Sequence, residues 1–573
     1  MSFKGENLMA KYNAGTYTGK GYGVKGKILV DVTFSENEIT DIKIVKHKEI
    51  YGQAYGLESS PFEHWVPKII EYQSLAVPMV VGAEVVCKAI SHAVASCVEQ
   101  AGGSVEELMN KEVPTPAKKE DRTIETDFVV FGSGIAGLSA AVEAKYCGAD
   151  VVLVEKQGVI GGSSAICGGK IMGAGTRTQI ERGILDTPQM QFDFLKKAAG
   201  TFLDDDKINY FCYHAAENIH WLEEQGFVVQ DVEAPHTSQL PWRIHNSMGG
   251  GGQTMGYGGG FIVPLNNKFH ELGGTTLLNT SLTELIVEDG KVVGAKATDT
   301  LDGSVVTIMA KKGVFIGTGG FAANRELVES RYPWMKGYYY NCPESSQGDG
   351  ARVAEAIGAR NYKHPSLQTM MLNEKTGVGV NEEPSLIVTL DGKRFCNEYQ
   401  FHSLVGCEMA KTGSAGGWYI TCGEEAPKYP LLQYTLGSKE AIKASSIEEL
   451  AEKIDINPSV LKDTVDRYNY LCDIGFDEDF EKPASEMRAI RGDVYYAVFL
   501  RPATSITFGG LEIDIAAHVL DNDKKIIPGL YASGEVANTG NFGKGVPSCG
   551  YSIGHALHFG RVAARSACGK ELL

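Results

Sequence analysis

Hydrophobic and polar positions change period several times along the chain, and each change marks an element. Residues 14–50 alternate with period two. The runs KILVDVTF and ITDIKIV flank Ser35-Glu36-Asn37-Glu38, which predicts a β-hairpin. Residues 84–101 switch to a helical period, closed by Gly102-Gly103. These elements make a small α+β domain over 1–105. Residues 106–125, with Pro114, Pro116 and a run of Lys, Glu and Asp, read as a linker. From Thr126, DFVVFGSGIAGLSAAVEAKYCGADVVLVEK reads as strand, glycine turn, helix and second strand. FVVF is apolar throughout, as a strand covered on both faces should be. A second hairpin is expected near 275–298 with Asp289-Gly290 as its turn. GVFIGTGG at 313–320 is a further buried strand. Residues 361–504 are richer in aromatics, His and polar stretches, and the glycine-rich pattern returns after 505. The expected fold is α/β: a nucleotide-binding domain in two parts, 126–360 and 505–573, interrupted by an inserted domain over 361–504.

Composition narrows the choices. The chain has 573 residues and a formal charge of −17. No basic face is available to release phosphate counterions, so nucleic acid is excluded as a partner. An anionic membrane surface is excluded by the same balance. No apolar run approaches the roughly 20 residues of a spanning helix, so membrane insertion is not expected. No apolar core of signal-peptide length is read at the N-terminus, so a cytoplasmic location is expected. None of the twelve cysteines forms a C-x-x-C pair. They read as reduced thiols, with no metal site expected. Glycine is in excess, 68 residues, and clustered, which points to tight loops around a ligand.

The strongest cluster is Gly132, Gly134 and Gly137, a G-x-G-x-x-G between strand and helix that includes Ile135 and Ala136. Its first glycine makes the turn, its second admits a pyrophosphate, and its third lets the helix pack on the strand. Glu155 ends the next strand, where an acid binds a ribose hydroxyl, with Lys156 beside it. A second Gly/Ser loop follows, holding Gly162, Ser163, Ser164, Gly168 and Gly169. This loop favours FAD over NAD, because the flavin end extends past it. Thr318, Gly319 and Gly320, and Gly534 with Glu535, supply two more loops of that cradle.

The segments GSGIAG, VEKQGVIGGSS, GTGGFAANRE, QGDGARVAEAIGA, HPSLQT, DGKRFCNE, FGGLEID and IPGLYASGEVAN together resemble the fumarate reductase and succinate dehydrogenase flavoproteins. Members with an N-terminal FMN-binding domain, the flavocytochrome c and urocanate reductase type, are the nearer likeness. The resemblance implies an FAD-binding Rossmann-like domain of the GR2 type, an inserted α+β capping domain, and a small α+β FMN-binding-like domain before them. It implies non-covalent FAD, with Glu155 and Glu535 at its two ribose regions and Asp349 in the cradle. Ser552 and Ile553 would lie at the flavin's pyrimidine edge, before a helix starting near Gly554. The implied reaction is hydride transfer from reduced flavin to an activated C=C bond.

Departures from the family pattern point to the substrate. NEYQFH puts His402 where fumarate-type members carry a proton-donating arginine. Ile506 replaces a His, and Pro547-Ser548 fall where a second substrate arginine belongs. Arginine forks are the usual grip on a carboxylate. Their loss suits a bulkier, less charged substrate. The tail SCGYSIGHALHFGRVA is also similar to 3-ketosteroid dehydrogenases, which suggests an enone: a 3-keto-steroid or an aromatic enone. His402 or Tyr399 is expected to protonate the α-carbon. His364, Tyr551 and Ser548 are candidates for substrate contact. Arg501 is expected in a structural ion pair, the tyrosines at 338–340 in packing, and the acidic stretch 473–482 in a solvated loop. Glu84 stands where covalent-FMN members carry the esterified Thr, so covalent FMN is not expected. The N-terminal domain then either binds FMN without a bond or serves structure alone. Electrons would come from a soluble donor: NAD(P)H, a flavin reductase or ferredoxin. The rival readings are a steroid-type dehydrogenase running oxidatively, a reductase of an unsaturated acid gripped by Arg501 or Lys544, and a non-catalytic flavin carrier.

Overall fold

The computed structural model describes residues 10–23, 26–49, 60–199, 204–234, 241–248, 258–380, 385–400, 402–538, 540, 542 and 545–573. The side chains at 199, 402, 403, 430 and 434 lie outside that description. In the N-terminal domain the expected hairpin is present as Gly26–Phe34 paired with Ile39–Lys46. The glycine-rich run before it adds a third strand, Gly15–Gly23. Ile28, Val30, Val32 and Phe34 alternate onto one buried face, as a period of two requires. Helix Glu84–Gln100 lies flush on that sheet. A Cβ on Gly19 or Gly21 would collide with the carbonyls of Ala93 and Ala89. The expected linker is shorter than 106–125. Helix Val105–Asn110 belongs to the N-terminal domain, with Leu108 in its core, and a strand already begins at Arg122.

The large sheet has parallel strands Thr275–Leu277, Val151–Val154, Arg122–Phe131 and Val305–Ile316 in that order. Ile526–Ala532 adds to the end of the last one. The hairpin Thr280–Glu288 with Lys291–Asp299 continues the sheet, and Asp289 and Gly290 both take left-handed turn conformations. Residues 275–277 are therefore not part of the hairpin. They pair in parallel with Val151–Val154. Phe128, Val129, Val130 and Phe131 are all buried, as the apolar run predicts. Helices Ile135–Tyr146 and Tyr551–Ala567 pack together on this sheet's core. A separate three-stranded sheet forms from Lys170–Met172, Ile244–Ser247 and Val229–Glu233.

The cap is built on strand Tyr495–Thr504, which pairs with Gly417–Cys422 and Ala441–Ala444. Its boundaries differ from 361–504. Asn361–Lys363 pairs with Gly509–Leu511 in the base, whereas Tyr339–Tyr340 joins the cap sheet. Tyr339–Tyr340 and Met370–Leu372 flank the end of Tyr495–Thr504, both pairing with Ala503. The acidic stretch 473–482 is not simply a solvated loop. Asp477 is fully buried and accepts from Arg394 at 2.9 and 2.7 Å, and from the N–H groups of Asp479, Phe480 and Lys482. The same guanidinium takes Glu398 at 2.8 and 2.9 Å. Among the described residues no helix is long and apolar enough to cross a membrane.

Candidate functional site

The glycine turn shows three distinct demands. Gly132 has φ +99°, and a Cβ there would strike the Gly317 carbonyl. A Cβ on Gly137 would strike the Gly132 carbonyl, so this glycine sets the close packing of helix Ile135–Tyr146. Gly134 precedes the helix, and a Cβ there would meet Ser164 Oγ at 3.3 Å and the Gly161 carbonyl at 3.9 Å, with no backbone clash. The backbone is thus open where an anion would meet the helix N-terminus.

From this turn a trench runs in two directions. One lobe, about 120 Å³, is walled by Gly132, Gly134, Ile135, Ala136, Glu155, Lys156, Gly162, Ser163, Ser164, Thr318, Gly319, Asp349, Gly534 and Glu535. The Glu155 carboxylate is oriented by Ser133 N–H at 2.9 Å, Ser133 Oγ at 2.6 Å and Gln157 N–H at 2.9 Å. Lys156 Nζ donates to Asp349 at 2.6 Å and to the Ser345 carbonyl at 3.1 Å. Thr318 Oγ1 is buried on this wall without a hydrogen-bond partner among the described residues. Ile135, Ser163, Ser164, Gly534 and Glu535 also wall the second lobe, so the two are continuous.

The second lobe is about 430 Å³ and mostly apolar: Ile506, Met370, Phe542 and Val546 face Gly168, Ser552 and Ile553. Its polar atoms arrive from separate segments. Ser548 Oγ, Asn538 Oδ1 and Gln368 Oε1 are buried and unpartnered among the described residues. Among the described residues no arginine lines it; Lys170 does, in an ion pair with Glu233. Burial pushes the Glu535 carboxyl up to about 7, although Thr507 N–H and Oγ donate to it at 2.8 and 2.9 Å. Burial also drives His555, on the same wall, down to about 3, so its imidazole is neutral at ordinary pH.

The structure sorts the expected residues. Gly169 is not on the trench wall; its carbonyl accepts from Ser247 N–H. Gly320 makes room for Glu535, whose carboxylate a Cβ would strike. The C-terminal helix starts at Tyr551, ahead of Gly554. Ser548 lines the substrate-sized lobe, but Tyr551 does not. Its ring packs in the core against Phe211 and Phe542. Both ring nitrogens of His364 face backbone carbonyls, Ser366 at 3.1 Å and Phe542 at 3.2 Å, so this histidine braces the joint between cap and base. Arg501 pairs with Glu374 at 2.6 Å, as expected. Tyr338 is buried and donates to the Ala322 carbonyl at 2.6 Å. Tyr399 sits one residue past Glu398, and His402 opens helix His402–Lys411, with its side chain outside the described residues. Lys544 also lies outside them. Gln368, Asn538 and His555 lie inside the segments HPSLQT, IPGLYASGEVAN and SCGYSIGHALHFGRVA, and Lys170 follows the second Gly/Ser loop, but sequence alone assigns none of the four a role, because only the fold brings them to one wall.

A profile of the family described as FAD binding domain matches residues 127–553. The NADH:acrylate oxidoreductase of Vibrio harveyi is 29% identical over 98% of this chain, which spans 62% of that protein's length. The fumarate reductase (cytochrome) of Shewanella frigidimarina is 31% identical, covering 77% of this chain and 76% of that protein. The structure of 3-ketosteroid-Δ4-(5α)-dehydrogenase from Rhodococcus jostii RHA1 with 4-androstene-3,17-dione aligns with TM-score 0.67 at 26% identity. It covers 79% of this chain and all of that one. The residues present fit FAD. Gly134 and Gly319 leave backbone open toward the trench, Glu155 is pre-oriented, and the orphaned Thr318 hydroxyl awaits a polar partner.

Proposed function

This chain belongs to the FAD binding domain family and is a flavin-dependent oxidoreductase acting on C=C or CH–CH bonds, and from that premise we propose that it reduces α,β-unsaturated carbonyl compounds. The substrate is bulky and weakly charged, of the 3-keto-steroid or aromatic enone kind. The observation that carries this reading is the wall of the larger lobe, where Ile506, Met370, Phe542 and Val546 stand and, among the described residues, no arginine does. Its one described cation, Lys170, is already neutralised by Glu233. Among the described residues a small dicarboxylate would find no arginine fork there.

FAD, when bound along Glu155, the 132–137 turn and Ser552–Ile553, supplies the hydride. It is held without a covalent link. The chain's own groups do the rest. The Ser548 hydroxyl would donate to the substrate carbonyl, drawing electron density from the alkene, while the Gln368 and Asn538 amide oxygens would accept from donor groups elsewhere on the ligand. The apolar wall excludes water around it. His402 or Tyr399 delivers the proton to the α-carbon, from a loop pinned by the buried Arg394, Glu398 and Asp477 group. His364 holds the cap against the base. The electron donor is soluble: NAD(P)H, a flavin reductase or ferredoxin. In the N-terminal domain Glu84 accepts from Gly82 N–H at 3.0 Å, a position hostile to a flavin phosphate, so any FMN there is non-covalent.

The likeness to the ketosteroid dehydrogenase supports a second reading, the same site working oxidatively. One experiment addresses both. The protein is reduced anaerobically, and flavin reoxidation is followed by stopped flow against enones, unsaturated acids and the matching amides, with quinone dyes tested as acceptors for saturated ketones. Reoxidation by enones at least about 100-fold faster than by fumarate is expected, a gap of roughly 2.7 kcal/mol. Fast turnover of fumarate would overturn the reading. Dye-coupled oxidation without enone reduction would select the oxidative one.

A further inference from the structure

The two helices whose N-terminal ends flank the trench also finish side by side. Ile135–Tyr146 and Tyr551–Ala567 run parallel, and Gly560 lets them touch, since a Cβ there would strike Ala136 and Ser139. Ser139 Oγ donates to the Leu557 carbonyl at 3.3 Å. One turn on, Glu143 accepts from Arg561 Nε at 2.9 Å and from Arg565 Nη1 at 3.0 Å. The next step of the same ridge brings Cys147 opposite Cys568, the residues that cap the two helices. The two thiols are close enough to perturb each other's ionisation, and both are free and partly exposed. We propose that Cys147 and Cys568 form a redox modification site, closing to a disulfide that staples the far ends of the two cofactor-flanking helices.

Cys147 is the attacking thiol. The hydrogen bond from Cys568, with help from Arg565 and Lys570, brings it down to about 7 against the opposing effects of burial and Glu143. Its thiolate attacks a small-molecule disulfide such as oxidised glutathione, forming a mixed disulfide and expelling one glutathione thiolate. Cys568 is held up by its hydrogen bond to Cys147 and by burial, and it is the resolving thiol. It gives its proton to water, its sulfur attacks Cys147 Sγ, and the second glutathione leaves. Two protein thiols are oxidised and one small disulfide is reduced to two thiols. The closed loop takes in the cap and the nucleotide-binding domain beyond its first strand, glycine turn and helix, so it restricts most of the unfolded chain.

The test equilibrates the full-length, flavin-loaded protein in glutathione buffers of rising oxidised fraction. Acid quenching, alkylation and digestion without reductant follow. A peptide joining Cys147 to Cys568 is expected, and in Cys568→Ser the reaction stops at a glutathione adduct on Cys147. Iodoacetamide labelling of Cys147 should inflect near pH 7 and shift upward in Cys568→Ala, which removes the donor, a readout that a packing role would not move. The thermal midpoint of the oxidised form should rise by roughly 2 °C or more. If both residues remain thiols while Cys147 is still alkylated, or if the wild type stops at the glutathione adduct, the proposal is overturned.

Discussion

Glu535 shows how one desolvated carboxyl ties stability to acidity. It is half-buried on the trench wall, and desolvation there lifts it from 4.5 to about 7 despite two donors from Thr507. Between those values the folded chain keeps a proton that the unfolded chain has released. Stability of the cofactor-free protein therefore falls as pH rises through that window, by on the order of 3 kcal/mol in all. Scanning calorimetry of the apo-protein from pH 5 to 8 should show this slope in the wild type. The slope should be flattened in Glu535→Gln; an unchanged slope would refute the assignment. At this scale the glycine turn was legible because covalent geometry fixes it: Gly132 needs a positive φ and Gly137 has no room for a Cβ. Lys170, Gln368 and Asn538 were not legible. They come from three distant stretches and meet only because the cap folds over the base.

Among elements, the segment 394–400 depends on a neighbour that its own sequence does not announce. Arg394 grips Glu398 and Asp477 with bidentate bonds, and Lys482 adds a contact to Glu398 at 3.4 Å. Burial alone would raise the Asp477 carboxyl; Arg394 and the three backbone donors hold it below its ordinary value instead. Asp477→Ala leaves those donors unpaired and should cost about 3 kcal/mol of stability. Urea unfolding would measure it, and a loss below about 1 kcal/mol would show the network to be slack. The stretch DIGFDEDFEK read as solvated because charge density is all that sequence shows there. Its partner, Arg394, lies 83 residues away. Local pattern did better where an element satisfies itself, as in the Asp289-Gly290 hairpin. It failed for Thr275–Leu277, whose pairing partner is a parallel strand far back in the chain.

Across the whole molecule, the order of domains was readable from changes in period, but their seams were not. Residues 111–121 are the true tether, mostly exposed, yet the N-terminal domain is also docked. Ala83 is buried in the core of the FAD domain, and Gly158 N–H donates to the Val81 carbonyl at 3.0 Å. Limited proteolysis should cut the tether and leave both pieces eluting together in gel filtration, at high salt as well as low, because the contact is apolar. Separate elution would show that the tether alone joins them. The cap's attachment has a mechanical meaning of its own. Its links to the base gather at Ala503, between Tyr339 and Met370. A lid fastened along one seam swings rather than slides, so the mouth widens most at the margin farthest from that seam. The largest guest the chamber admits then depends on the angle at that seam, not on the length of any surface loop.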